Sequence, residues 1–174
     1  MKTLVVVYSK TGTSRQLARL LAQLKGWTLA EVTEPAPDAA HRSDARCAVD
    51  SLLQRCPAIR YDGPPPQDFD VVVLVSPIWM RRLSSPMRSF VTTHRHALRQ
   101  VAVLSVMGGE GAPNAVAEIG RLLHRSPLFS TAVTTREVEC GSAVARLDAF
   151  GTAIERALDP EPPLRPAVWS AETA

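Results

Sequence analysis

Several hydroxyl side chains and one glycine lie close together near the start of the chain, between a strand-like run and a helix-like pattern. Residues 4–8 are uninterrupted apolar, and Leu17, Leu20, Leu21 and Leu24 recur at the spacing of one helix face. The first helical turn has unpaired backbone N–H groups at the positive end of the helix dipole, which suits a phosphate or similar anion. The hydroxyl-rich loop that precedes it is made of Ser9, Lys10, Thr11, Gly12, Thr13 and Ser14.

Three other phosphate or metal motifs do not match this loop. A Walker A loop requires G-x-x-x-x-G-K-[ST], whereas Lys10 here precedes Gly12 and no earlier glycine lies in the loop. The dinucleotide fingerprint needs three glycines, and a receiver domain needs acidic residues where this strand runs into Ser9. The remaining pattern, S-x-T-G-x-S, is consistent with a phosphate loop or with an ordinary Ser/Thr-rich turn that caps a helix.

Length and composition limit the class of protein. A chain of 174 residues, 45% hydrophobic and 21% charged, fits one soluble domain with a substantial core. We expect residues 1–158 to form this domain and the proline-rich residues 159–174 to form a tail. Because neither a signal peptide nor an apolar run of membrane-spanning length is visible, we expect a cytoplasmic protein without membrane insertion.

Charge and cysteine content argue against two further classes of site. The net charge of +3 is too weak to indicate nucleic-acid binding, which needs clustered Lys and Arg on one face. The three cysteines, Cys47, Cys56 and Cys140, match neither C-x-x-C nor a zinc spacing. We therefore predict no metal site and reduced, partly buried thiols.

Strand-like runs alternate with helical patterns along the chain. The five runs are residues 3–8, 28–32, 70–76, 101–106 and 128–138. Such alternation favours a parallel sheet with helices on both faces. A short helix around residues 45–55 is expected to turn Val49, Leu52 and Leu53 inward. A helix after Ser85-Pro86 is expected to turn Met87, Phe90, Val91 and His94 inward.

The first loop resembles the phosphate-binding loop of flavodoxin-like proteins, which hold the 5′-phosphate of FMN. The segment that follows the third run, with Pro77, Ile78, Trp79, Pro86 and Phe90, is similar to FMN-dependent NAD(P)H:quinone and related reductases of that superfamily. The resemblance implies a three-layer α/β sandwich with a five-stranded parallel sheet of order 2-1-3-4-5. It also implies that FMN binds where the strand order reverses, between strands one and three.

The same resemblance assigns cofactor contacts to two further loops. Pro77, Ile78, Trp79 and Met80 would lie along the flavin, although Trp79 as a loop residue packed on the core is the alternative. A Gly-rich loop after the fourth run would contact the ring with Met107, Gly108, Gly109 and Glu110. This third loop lacks the aromatic residue that covers the flavin in many electron carriers, so we expect one ring face to be open. No dedicated catalytic residue is predicted, because flavin carries the redox chemistry.

Three functions fit these patterns. The preferred one is an oxidoreductase in which FMN takes electrons from NAD(P)H and passes them to a quinone or another small acceptor. The alternatives are an electron-transfer flavodoxin that docks onto redox partners and a non-catalytic flavodoxin-like module. The basic charge disfavours the carrier, since electron-transfer flavodoxins are typically acidic. Family analogy implies a homodimer or homotetramer.

Arginines near the second loop, which contains residues 77–80, are the candidate contacts for a charged partner. Arg81, Arg82 and Arg88 are expected beside the flavin edge, where they could attract the phosphates of a nicotinamide dinucleotide. An acidic protein partner or plain solvation of a cationic surface are the alternative interpretations.

Overall fold

The computed structural model describes residues 2–35 and 44–158. The five longer strands are separated from one another by helices, as predicted. In chain order they are β1 Thr3–Tyr8, α1 Thr13–Lys25, β2 Thr28–Thr33, α2 Asp44–Leu52, β3 Arg60–Asp62, a 3-10 turn Pro66–Asp68, β4 Val71–Trp79, β5 Arg82–Leu83, α3 Ser85–His94, β6 Gln100–Met107, α4 Ala112–Leu123, β7 Phe129–Thr134, α5 Thr135–Glu139 and α6 Val144–Leu158.

The sheet runs in the order β3-β2-β1-β4-β6-β7, with β5 paired only to β4. The strands β2, β1, β4, β6 and β7 are mutually parallel, which confirms the predicted order 2-1-3-4-5. The predicted count of five strands is wrong, because β3 and β5 add two antiparallel strands. These strands have three and two residues, too few to produce a recognisable alternation of apolar and polar positions.

The last strand is also shorter than predicted. The predicted run of residues 128–138 divides into β7 and the short helix α5. A capping box causes the change: Thr134 N donates to Glu137 Oε2 at 2.7 Å, and Glu137 N donates to Thr134 Oγ1 at 3.2 Å. This T-x-x-E signature outweighs the β-branched residues around it.

Apolar residues fill both sides of the sheet. Along β1, Leu4, Val6 and Tyr8 join one core cluster, while Val5 and Val7 join the other. Helices α3 and α4 cover the first side. Of the predicted inward residues of α3, Met87, Phe90 and Val91 are fully buried there, and His94 is half-buried. Helices α1 and α6 cover the second side. Parallel strands covered on both faces explain the near-continuous apolar runs of the sequence.

Helix α2 has the opposite orientation to the predicted one. Val49, Leu52 and Leu53 are 47%, 48% and 56% exposed, so the prediction that they point inward is wrong. The buried positions of this helix are instead Cys47, Asp50 and Ser51. Polar partners explain this orientation: residues of α3 hydrogen-bond Ser51, and Arg55, which follows α2, hydrogen-bonds Asp50.

Leu24, predicted on the inward face of α1, is 44% exposed, and the small residues Ala18 and Ala22 are buried on that helix. Among residues 2–35 and 44–158, no helix combines the length and apolar character needed to cross a membrane.

Candidate functional site

A cavity of about 370 Å³ lies at the carboxyl ends of the neighbouring parallel strands β1 and β4. The strand order reverses at this point, where open α/β sheets bind ligands. The first and second loops face each other across it. The lining residues are Ser9, Lys10, Thr11, Ser14, Cys47, Ala48, Pro77, Ile78, Trp79 and Met80.

The first loop places an uncapped helix end at the cavity. Gly12 is the N-cap residue of α1 with φ of 99°, a left-handed conformation that glycine adopts without strain. Within the described residues no side chain caps the helix, and its first turn contains no acidic residue. The N–H groups of that turn therefore remain available to an anion.

Hydroxyl groups shape the same loop. Ser9 Oγ accepts a hydrogen bond of 3.1 Å from Gly12 N, which folds the loop back towards the strand end. The hydroxyls of Thr11 and Thr13 lie 3.5 Å apart. Gly12 and Thr13, which the sequence predicted as contacts, supply the turn and the helix start without lining the cavity.

The second loop forms a hairpin. Residues 77–79 end β4, the chain turns at Met80 and Arg81, and β5 returns so that Trp79 pairs with Arg82. Both turn residues have positive φ, 48° and 60°, as a two-residue type I′ turn requires. Neither is glycine, so the turn is strained and depends on its surroundings.

Trp79 contacts the core and the cavity together. Its ring lies edge-on to the buried Tyr8 ring, with centroids 5.8 Å apart and planes at 87°. The aromatic contact fixes one side of the indole, while Trp79 still lines the cavity. The two interpretations of this residue, core packing and ligand contact, are therefore compatible.

The third loop lies against the hairpin. Met107 is half-buried, and Gly108, Gly109 and Glu110 are exposed; none of these four predicted contacts lines the cavity. Glu110 Oε2 accepts a hydrogen bond of 2.6 Å from Arg81 Nη2. A β-carbon on Gly111, whose φ is 116°, would lie 2.5 Å from Arg81 Cα, so only glycine allows this approach.

Helix α2 contributes cavity residues that the sequence did not reveal. Cys47 and Ala48 line the cavity, and Cys47 is a free thiol with 2% exposure. Lys10 Nζ donates to Cys47 Sγ at 3.4 Å, which joins the first loop to α2. The large apolar residues of α2 were predicted to point inward. Cys47 lies on a different face of the helix, so its contact with the cavity was not predicted.

The three arginines occupy different environments. Arg81 is largely exposed, Arg82 is half-buried, and Arg88 is 3% exposed. Arg88 Nε forms a buried ion pair with Glu118 Oε1, and its other nitrogens donate to backbone carbonyls. The prediction that Arg88 is available to a dinucleotide phosphate is therefore wrong. Among the described residues, no group of three or more potential ligands suited to a metal ion is found.

Solved structures share this fold. No protein-family model and no curated protein matches the sequence. A flavoprotein from Lactobacillus acidophilus NCFM, solved in complex with FMN, matches with a TM-score of 0.66 at 21% identity, over 81% of this chain and 98% of that one. A flavodoxin from the domain Archaea matches with a TM-score of 0.54 at 15% identity, over 91% and 99%. The chain therefore has a flavodoxin-like fold.

A flavone reductase also matches, with a TM-score of 0.55 at 14% identity. The alignment covers 91% of this chain and 64% of the reductase, so the reductase contains additional regions. At these identities the matches show the fold alone.

Proposed function

We propose that this protein binds FMN in the cavity between the first loop and the hairpin and acts as an NAD(P)H-dependent oxidoreductase. The observation that carries the proposal is the juxtaposition, across one cavity, of an uncapped helix N-terminus and an apolar, aromatic loop. Each half matches one part of FMN, the phosphate and the flat ring. The Lactobacillus acidophilus flavoprotein of the same fold, which was solved in complex with FMN, supports this assignment.

The residues of the cavity fit the chemistry of this cofactor. The first turn of α1 has no carboxylate to repel a phosphate, and Lys10 adds positive charge beside it. Ile78, Trp79 and Met80 offer apolar and aromatic surface to a planar ring, where stacking adds about 1 kcal/mol beyond area burial. The cavity volume of about 370 Å³ lies in the range of small-molecule sites.

The chain itself would bind FMN, orient its ring and shield part of it from solvent. When bound, FMN supplies the redox chemistry, accepting hydride from NADH or NADPH and passing electrons to a quinone or another small acceptor. The exposed third loop has no aromatic residue between Met107 and Glu110, which leaves room for a substrate on one ring face. Arg81 reaches this loop through its ion pair with Glu110, and Arg82 follows it in the hairpin.

Two spectroscopic measurements test the proposal. Titration of the purified protein with FMN is expected to shift the flavin absorbance and quench its fluorescence, with riboflavin binding far more weakly because it lacks the phosphate. NADH or NADPH added without oxygen is then expected to bleach the bound flavin. A protein that binds neither flavin would contradict the cofactor assignment and leave the non-catalytic module.

The electron carrier is the second candidate. Bleaching that requires a separate reductase would support it, whereas direct bleaching by NAD(P)H with turnover of a quinone supports the enzyme. The formal charge of +3 favours the enzyme, because acidic partner-docking rims are typical of electron-transfer flavodoxins.

A further inference from the structure

Buried polar side chains cluster where α2, α3, α4 and β5 meet. Each is at most 4% exposed; they are Asp50, Ser51, Ser84, Ser85, Arg88, Ser89 and Glu118. Buried polar groups are costly unless they are hydrogen-bonded. Within the described residues, Ser84 Oγ, Ser85 Oγ and Glu118 Oε2 have no partner. A cluster with this cost suggests a role beyond filling space.

Arg88 is at the centre of this cluster. Its Nη2 donates to Leu83 O at 2.9 Å and to Ser51 O at 3.2 Å, and its Nη1 donates to Arg55 O at 3.1 Å. Its Nε pairs with Glu118. One guanidinium therefore joins the returning strand of the hairpin, the end of α2 and the middle of α4.

We infer that Arg88 is a positioning residue that holds two sides of the proposed FMN cavity without touching it. The inference rests on the proposed function. Leu83 pairs directly with Ile78 in the hairpin, and Ser51 lies one helical turn after Cys47. The two carbonyls that share Nη2 thus belong to the segments carrying residues 77–80 and residues 47–48, which line the cavity.

The hairpin needs such support because its turn is strained. Met80 and Arg81 adopt left-handed conformations that non-glycine residues avoid, and such conformations persist where neighbouring contacts fix them. Gly111 and Glu110 contact the turn from one side. The bond from Arg88 to Leu83 O fixes the returning strand.

The shape of the guanidinium makes lysine a sharp test. Arginine presents five N–H donors in a planar fork, whereas lysine presents three donors on a compact ammonium. Arg88→Lys therefore keeps the charge beside Glu118 but cannot reach the same set of carbonyls. Glu118→Gln is the matched control, because it disturbs the same buried pair and leaves the carbonyl contacts of Arg88 in place.

Hydrogen exchange of the FMN-free protein tests the structural half. In Arg88→Lys, the amides of residues 78–83 and 47–52 are expected to exchange about tenfold faster, with α1 unchanged. Glu118→Gln is expected to change these amides much less. Uniform acceleration over the whole sheet, or no acceleration at the hairpin and α2, would overturn the inference. The double variant Arg88→Met with Glu118→Leu is the control for misfolding. It removes both charges of the pair, so that no buried charge is left without a partner.

Ligand binding tests the functional half, at a temperature where all variants are folded. Arg88→Lys is expected to lower the affinities for FMN and for riboflavin by the same factor, about tenfold, because preorganisation of the ring site is lost. Inhibition of FMN binding by inorganic phosphate should stay unchanged, since the first loop is intact. Ile154→Ala, a core truncation on the other side of the sheet, serves as a destabilised control with normal FMN affinity.

The outcomes separate the two claims. Unchanged FMN affinity in Arg88→Lys, or an equal loss of phosphate binding, overturns the positioning role and leaves FMN binding intact. A wild-type protein without FMN affinity overturns the proposed function, and hydrogen exchange still decides whether Arg88 holds the hairpin and α2.

Discussion

The two sides of the cavity are built in different ways. The first loop consists of consecutive residues of one strand–loop–helix unit, and its left-handed position falls on Gly12. The hairpin places Met80 and Arg81 in left-handed conformations and relies on contacts from Gly111, Glu110 and Arg88. The loop geometry is thus encoded locally, whereas the hairpin geometry depends on residues distant in sequence. A substitution in the first loop should weaken the contact with one group of the ligand. A substitution around the hairpin should instead act by changing the structure of the site.

The largest effect is expected from a charge in the first loop. Thr11→Asp places a carboxylate against the phosphate position, so FMN affinity should fall about a hundredfold or more through like-charge repulsion. Fluorescence titration measures the loss, and Thr11→Ser, which keeps the hydroxyl, is the control. Unchanged affinity in the aspartate variant would contradict the phosphate assignment.

A methyl group at Gly111 should disturb the hairpin and not the loop. In Gly111→Ala the new β-carbon meets the Arg81 backbone and φ is unfavourable, so we expect a loss of about 2–3 kcal/mol in unfolding free energy. Urea denaturation measures this loss. Gly141→Ala separates the two causes, since Gly141 has φ of 74° and open space around its β-carbon position. Equal losses in both variants would show that the contact with Arg81 is unimportant.

Relief of strain in the turn should stabilise the protein modestly. Asn tolerates the left-handed conformation, and Met80 is 59% exposed, so Met80→Asn sacrifices little packing. We expect a gain of about 0.5 kcal/mol, read from the midpoint of thermal unfolding. Met80→Leu keeps an apolar side chain and should give no gain. A destabilised asparagine variant would mean that Met80 packs more tightly than its exposure indicates.

The smallest effect concerns pH on the hairpin side. Burial against Tyr61 and Phe90 lowers the pKa of His94, at the end of the helix that carries Arg88. Because the folded state holds the proton less tightly, this contribution to stability is present above the ordinary value of 6.5 and is lost as the pH falls below it. Urea denaturation at pH 7.5 and pH 5.5 should show a smaller pH-dependent loss in His94→Gln than in wild type. Identical losses would remove His94 from the pH response.

The same contrast explains which features were predictable from sequence. Buried strands, a glycine turn and amphipathic helices are local patterns, so the first loop and the presence of a parallel sheet followed from them. The order of the parallel strands was implied by the family resemblance. The orientation of α2 did not follow from local patterns, because Ser51 finds polar partners in Ser85 and Arg88, more than 30 residues away in the chain. Hydrophobicity alone favoured the face that carries Leu52, which is exposed.

The hairpin was not predicted from the sequence for a related reason. Met80 and Arg81 are not typical turn residues, and β5 has only two residues. Proline and tryptophan in residues 77–79 were recognisable as a candidate ring contact, but the antiparallel return of the chain depends on tertiary contacts. The cavity residues of α2 were missed with the orientation of their helix.

The short strand β3 has a consequence for the behaviour of the protein in solution. Parallel β2 would otherwise present a row of unpaired backbone groups along a hydrophobic sheet, a template for association with another chain. A three-residue antiparallel strand with exposed Arg60 and Asp62 occupies that margin instead. Among the described residues, this short charged edge strand disfavours edge-to-edge association with another sheet.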